Sequence, residues 1–123
     1  MKRKISPIGL ARKCASIAES KKAGKIMIYD VRRMTPFYDY CLVCSGNSNV
    51  HVASISEEII GELKKSEGLL PMHREGLRVA QWVLLDYSSV LVHVFREETR
   101  KYYSIEELWQ RAKVVEQEKA EKK

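Results

Sequence analysis

An α/β fold, a mixed sheet of four to five strands flanked by helices, is predicted by three observations. Helical and strand patterns alternate in the order helix, strand, strand, helix, strand, strand, helix, and helices bracketing strand pairs imply a layered α/β domain. The run Tyr40 to Ser45 is nearly continuous in apolar character, as expected of a central strand covered on both faces. Two further apolar runs, Val79 to Leu85 and Val90 to Phe95, are separated only by Asp86-Tyr87-Ser88-Ser89, which predicts an antiparallel hairpin. The chain has 123 residues, 45% of them hydrophobic, enough for one compact domain with a real core.

Each element has a local cause. Ser6-Pro7 is a helix start, because serine caps free amides and proline suits the first helical position. Leu10, Cys14, Ile17 and Ala18 follow at helical spacing and form one apolar face. Gly24 is the expected stop. Ile26 to Val31 is β-branched and apolar, a strand, and Thr35-Pro36 marks the loop after it. The turn Gly46-Asn47-Ser48-Asn49 feeds a helix over about Val50 to Lys65, which buries Val52, Ile55, Ile59, Ile60 and Leu63. Gly68 to Gly76, with Pro71, is a loop. Ser104 and Glu107 have capping-box spacing, which predicts a last helix docked by Leu108 and Trp109. Residues 1–110 thus form one domain, and 111–123 a charged, partly disordered helical tail without an apolar face.

The net charge is +6, which suits a neighbour of nucleic acid but speaks to loose attraction and not to a specific site. Part of the basic excess lies at the ends, in Lys2, Arg3 and Lys4 and in Lys119 to Lys123, where solvation alone accounts for it. Three cysteines without framework spacing argue for a reducing, cytoplasmic setting. No apolar run approaches the roughly 20 residues of a membrane helix, and the basic N-terminus lacks the apolar core of a secretory signal.

Catalytic and metal chemistry find little support. Cys41-Leu42-Val43-Cys44 is a C-x-x-C inside an apolar strand. Residues three apart in a strand point to opposite faces, so the sulfurs diverge, and the helix start that activates redox thiols is missing. His51, His73 and His93 share no ligand spacing. Gly46-Asn47-Ser48 follows a strand and opens a helix, so its amides suit a phosphate. Nucleotidyltransferases add two carboxylates two apart on a nearby strand to hold magnesium. Asp86 is followed by Tyr87 and Ser88, and Asp30 by Val31 and Arg32, so the metal would have no cradle. No catalytic residue, metal ligand or cofactor is assigned.

Binding is the stronger reading. Trp82, Asp86, Tyr87 and His93 cluster on the hairpin, with Glu75-Gly76 before it and Arg100, Tyr102 and Tyr103 after it. Aromatic and arginine side chains carry a disproportionate share of interface energy.

The motifs also carry a resemblance. Asp39-Tyr40-Cys41-Leu42-Val43-Cys44-Ser45-Gly46-Asn47-Ser48 is similar to the Iojap-family run of aspartate, aromatic, apolar residues and Gly-x-Ser. Glu75-Gly76, then Trp82-Val83-Leu84-Leu85-Asp86-Tyr87 with Val92-His93-Val94-Phe95, then Arg100, Tyr103, Glu106, Leu108 and Trp109 resemble its remaining segments in order. The match runs from about Ala18 to Trp109. Cys41 and Cys44 depart from the usual residues, but both remain apolar.

The resemblance to these ribosomal silencing factors implies a nucleotidyltransferase-like fold without transferase activity. It implies binding to the large ribosomal subunit through its protein number fourteen, blocked joining of the small subunit, and repressed translation when nutrients are short. A peripheral contact with ribosomal RNA and a homodimer are compatible with it. Large-subunit assembly, general RNA binding and an active nucleotidyltransferase are the alternatives. Asp39, Tyr40, Glu75, Trp82, Asp86, Tyr87, His93, Arg100 and Tyr103 are the expected partner-binding residues, with Glu75 and Asp86 facing basic groups of the partner.

Overall fold

The structure, a computed structural model, describes residues 4–117. Helix α1 spans Pro7–Ser20. The Ser6 hydroxyl accepts the Gly9 amide at 3.1 Å, and Leu10, Ala11, Cys14, Ile17 and Ala18 are buried. The helix ends without help from Gly24: Lys22 takes the left-handed conformation, φ 63°, and Gly24 opens strand β1, Gly24–Asp30. Strand β2, Tyr40–Gly46, is buried along its whole length. Helix α2, Asn49–Glu67, is capped by Ser48 and closed by left-handed Gly68. The Gly68 and Leu69 amides return to the Lys64 and Leu63 carbonyls at 3.0 and 3.2 Å, so carbonyls that would otherwise lack a partner are satisfied.

Strands β3 (His73–Glu75), β4 (Trp82–Asp86) and β5 (Val90–Arg96) follow. Helix α3 (Glu97–Tyr102), a 3-10 turn (Ile105–Trp109) and strand β6 (Lys113–Gln117) complete the described chain. The described strands form one six-stranded sheet in the order β3-β4-β5-β2-β1-β6. Only β2 and β5 pair in parallel. Both long helices cover one face, where their apolar sides meet Ile28, Leu42, Val83, Leu85, Val92 and Val94 in the main core.

The mixed α/β class stands, and five details of it are corrected. The sheet has six strands because β3 and β6 lack the apolar alternation that announces a strand. All three residues of β3 are exposed, and β6 lies among charges. Residues 113–117, expected in a helical tail, pair with β1 instead, so the sheet extends past the boundary drawn at residue 110. Residues 118–123 of that tail lie outside the described residues. Strand β4 starts at Trp82 and not at Val79, since Ala80 has φ 60° and its amide closes a turn onto the Gly76 carbonyl at 2.8 Å. The capping box at Ser104 does not form: Ser104 is left-handed with no side-chain cap, and the regular helix begins directly after β5. Leu108 is 58% exposed, so only Trp109 docks.

Gly76 holds the start of the hairpin in place. Its φ is 86°, and a Cβ there would overlap the Trp82 carbonyl oxygen. A left-handed non-glycine residue costs about 1–2 kcal/mol, and the overlap adds displacement of β4. Gly76→Ala is therefore expected to lower unfolding stability by about 2–3 kcal/mol and to shift Trp82 fluorescence; an unchanged denaturation midpoint would refute this account.

Candidate partner-binding face

The helices leave the second face of the sheet to lighter cover. Directly paired residues share a face, so the registers define three rows across it. One row runs His73, Asp86, Leu91, Cys41, Tyr29. The next runs Glu75, Leu84, His93, Val43, Met27. The third is Trp82, Phe95, Ser45. Trp109 lies over the β1 side, stacked on Tyr29 at 5.7 Å and edge-on to His93 at 5.1 Å. Tyr29, Val31, Cys41, Val43, Phe95 and Trp109 make a second, smaller core there. Cover stops at β4: Leu84, Asp86 and Leu91 are half-buried and Glu75 is exposed. Trp82 is 41% exposed.

Trp82 is held and presented at once. Its indole packs on Phe95 at 4.8 Å, and its Nε1–H donates to His93 Nδ1 at 3.2 Å. The proton of His93 is therefore on Nε2, in the neutral ring. Burial pushes the His93 pKa down from 6.5 to about 4. A depressed histidine contributes stability above its unfolded pKa and loses it as pH falls through the folded value. Here that window is about pH 6.5 to 4, with a loss of about 3 kcal/mol at its acid end. His93→Gln is expected to flatten the acid limb of a pH–stability curve; an identical limb would remove His93 as its cause.

Asp86 accepts the Tyr38 hydroxyl at 2.8 Å and the Ser88 amide at 2.8 Å. It therefore closes the hairpin turn and ties the β1–β2 loop to the face. Asp39 is half-buried beside that loop, with its amide on the Ser89 carbonyl at 2.8 Å. Tyr103 is 60% exposed and packs edge-on against Tyr102 at 4.9 Å.

Four residues expected to touch a partner are buried instead. Tyr40 is 8%, Tyr87 6%, His93 6% and Arg100 2% exposed. Tyr40 and Tyr87 turn toward the main core. His93 supports Trp82 from beneath. Arg100 is a staple: its guanidinium donates to Glu106 Oε2 at 2.7 Å, the Lys25 carbonyl at 3.1 Å and Ser45 Oγ at 2.6 Å, joining α3 to the ends of β1 and β2. Sequence reasoning missed Tyr38, Leu84 and Leu91, which complete the face. The two-residue alternation around Trp82, Asp86 and His93 was the available signal.

The other motifs are structural. Cys41 and Cys44 lie in opposite cores, and burial pushes the Cys41 thiol up to about 11 and Cys14 up to about 12, the reverse of activation. Gly46 permits close packing of α2, since a Cβ there would lie 2.9 Å from the Val52 amide nitrogen. The Asn47 amide is taken by His51 Nδ1 at 3.0 Å and the His51 amide by Ser48 Oγ at 3.1 Å. Neither is free for a phosphate. Among the described residues, no group of three His, Cys, Asp or Glu side chains is placed to hold a metal ion, and no helix is long and apolar enough to cross a membrane.

Residues 4–123 match the family described as "Ribosomal silencing factor during starvation", RsfS. The chain belongs to the RsfS family. The Bacillus subtilis ribosomal silencing factor RsfS is 37% identical over 95 residues, 77% of this chain and 80% of that protein. Maize "Protein Iojap, chloroplastic" is 28% identical over 111 residues, covering 89% of this chain and 47% of its own length. A crystal structure from Chromobacterium violaceum superposes with a TM-score of 0.80 at 29% identity, covering 85% of this chain and 86% of that one. One from Bacillus halodurans gives 0.73 at 32% identity, covering 89% and 95%. The RsfS name makes the ribosome the partner to be explained. The Gly-x-Ser turn of this RsfS chain packs a helix, and its hairpin presents a face.

Proposed function

We propose that this protein binds the large ribosomal subunit, at its protein number fourteen, through the β3–β4 side of the open face. Bound there, it obstructs joining of the small subunit and represses translation when nutrients are short. It acts by occupying a surface and not by catalysis. The observation that carries the reading is Trp82: a tryptophan 41% exposed, braced by His93 and Phe95 and bordered by half-buried Leu84 and Leu91. A rigid aromatic anchor with apolar neighbours is the usual centre of a protein interface. Glu75 and Asp86 give this margin acidic character in a chain of net charge +6. That favours a basic protein partner over RNA phosphates at this margin, since like charges there would repel.

The test is a sucrose gradient. Added protein is expected to co-sediment with free large subunits and to deplete the joined-ribosome peak. Normal joining at saturating protein would reject the proposal.

A further inference from the structure

The opposite edge of the sheet carries a basic site. Asp30 ends β1, Arg32, Arg33 and Met34 follow it, and Arg111 and Lys113 precede and open β6. These residues line one concave site of about 560 Å³, inside the roughly 300–1,000 Å³ range of ligand sites. The two segments are far apart in sequence. Pairing of β1 with β6, which sets Asp30 opposite Lys113, brings them together. Four cations thus surround a single carboxylate.

The carboxylate is already engaged. Arg32 donates to it through Nε at 3.0 Å and Nη2 at 2.7 Å, and through its backbone amide at 3.0 Å. These contacts hold the Asp30 carboxyl down at about 2. Arg32 is braced on its other side, its guanidinium carbon 5.4 Å from the centre of the Tyr40 ring. It is therefore pre-positioned with Nη1 unengaged among the described residues. Arg33 and Arg111 are exposed and form no ion pair among the described residues.

We infer that this site takes the phosphodiester backbone of RNA. Its excess positive charge calls for an anion. Its cations are exposed and spread along a margin, so no single contact is strong, and affinity requires several phosphates on one polymer. Apart from Met34 its lining is charged, and the nearby Tyr40 ring is buried beneath Arg32. None of the residues lining the site is aromatic, so within it there is no ring for a base to stack on, and the contact reads backbone and not sequence. The inference rests on the reading that this protein meets a ribosomal subunit. The acidic, apolar β3–β4 margin of the open face takes the subunit protein, and the basic site at the β1–β6 edge takes ribosomal RNA. Val31 packs into the smaller core of the open face, whereas Asp30, paired with Tyr40 and Lys113, alternates to the helix-covered side, so the basic site flanks the open face from the β1–β6 edge.

The experiment compares wild type with Arg33→Gln/Arg111→Gln. Arg32 is left intact because it anchors the β1–β2 loop. Affinity is measured across a potassium chloride series for purified large subunits, for isolated ribosomal protein fourteen, and for an RNA hairpin of about 20 base pairs. The double variant is expected to keep the wild-type melting temperature. It should bind large subunits about tenfold more weakly at low salt, with a salt dependence shallower by about two phosphate contacts. Arg33→Lys/Arg111→Lys should recover most of both. Affinity for protein fourteen alone should not change.

Three results would overturn the inference. One is an unaltered affinity and salt slope on the subunit. Another is an equal loss on isolated protein fourteen, which would make the site a protein contact. The third is displacement of RNA by inorganic phosphate beyond that caused by potassium chloride at matched ionic strength, which would make it a small-anion site. If wild type fails to bind subunits, the functional proposal falls, and the hairpin series decides this inference separately.

Discussion

Trp82→Ala is expected to weaken binding to the large subunit about 100-fold or more, within the range of interface anchors. The indole lies over Phe95 at 4.8 Å and donates to His93 at 3.2 Å, so it is presented in one orientation and loses little freedom on binding. The same contacts set the cost to the fold. Losing one hydrogen bond and one aromatic contact should lower stability by about 1–2 kcal/mol, which leaves the domain folded. Sedimentation of the folded variant with free large subunits separates the two effects. Glu75→Arg offers an independent check, because Glu75 is exposed and the change reverses charge at the rim. It should reduce the association rate and alter its salt dependence. If Trp82→Ala retains affinity to within about threefold, Trp82 is no hot spot and this margin is not the anchor.

Tyr87→Ala is expected to be a stability mutation. Tyr87 follows directly after β4 and is 6% exposed in the main core. Its truncation resembles other large-to-small aromatic changes, about 3–4 kcal/mol, or roughly a 10–15 °C fall in melting temperature for a domain of this size. Tyr87→Phe should behave in the opposite way. The buried Tyr87 hydroxyl has no hydrogen-bond partner among the described residues, and burial pushes its pKa far above the ordinary tyrosine value. Removing an unsatisfied buried hydroxyl should be neutral or stabilise by up to about 1 kcal/mol. Thermal unfolding of both variants is the measurement. A Tyr87→Ala protein with wild-type stability would return this residue to the surface.

Much of the frame was legible because its causes are local. Ser6-Pro7 starts α1 and Ser48 starts α2 through contacts within one turn. The apolar run of β2 announced the centre of the sheet, and the short link after Asp86 announced the β4–β5 hairpin. The divergence of Cys41 and Cys44 followed from strand periodicity alone. Elements whose stability comes from distant partners were not legible. β3 and β6 are held by edges supplied by β4 and β1. Ser104 lost its capping role where Arg100, bonded to Ser45 and Lys25, fixes the chain ahead of it.

The candidate site divides in the same way. The sequence by itself determined that the hairpin carries an unusual set of aromatic and charged residues, and its motifs pointed to the ribosomal silencing family. It could not decide which of them face outward. Alternation assigns residues to two faces, but both faces are equivalent until helices cover one of them. Tertiary structure settled this by packing α1 and α2 against the side that holds Val83, Leu85 and Tyr87, leaving Trp82, Leu84 and Asp86 on the lightly covered side. It also assembled the basic site, because Arg33 and Arg111 share a cavity only when β6 pairs with β1.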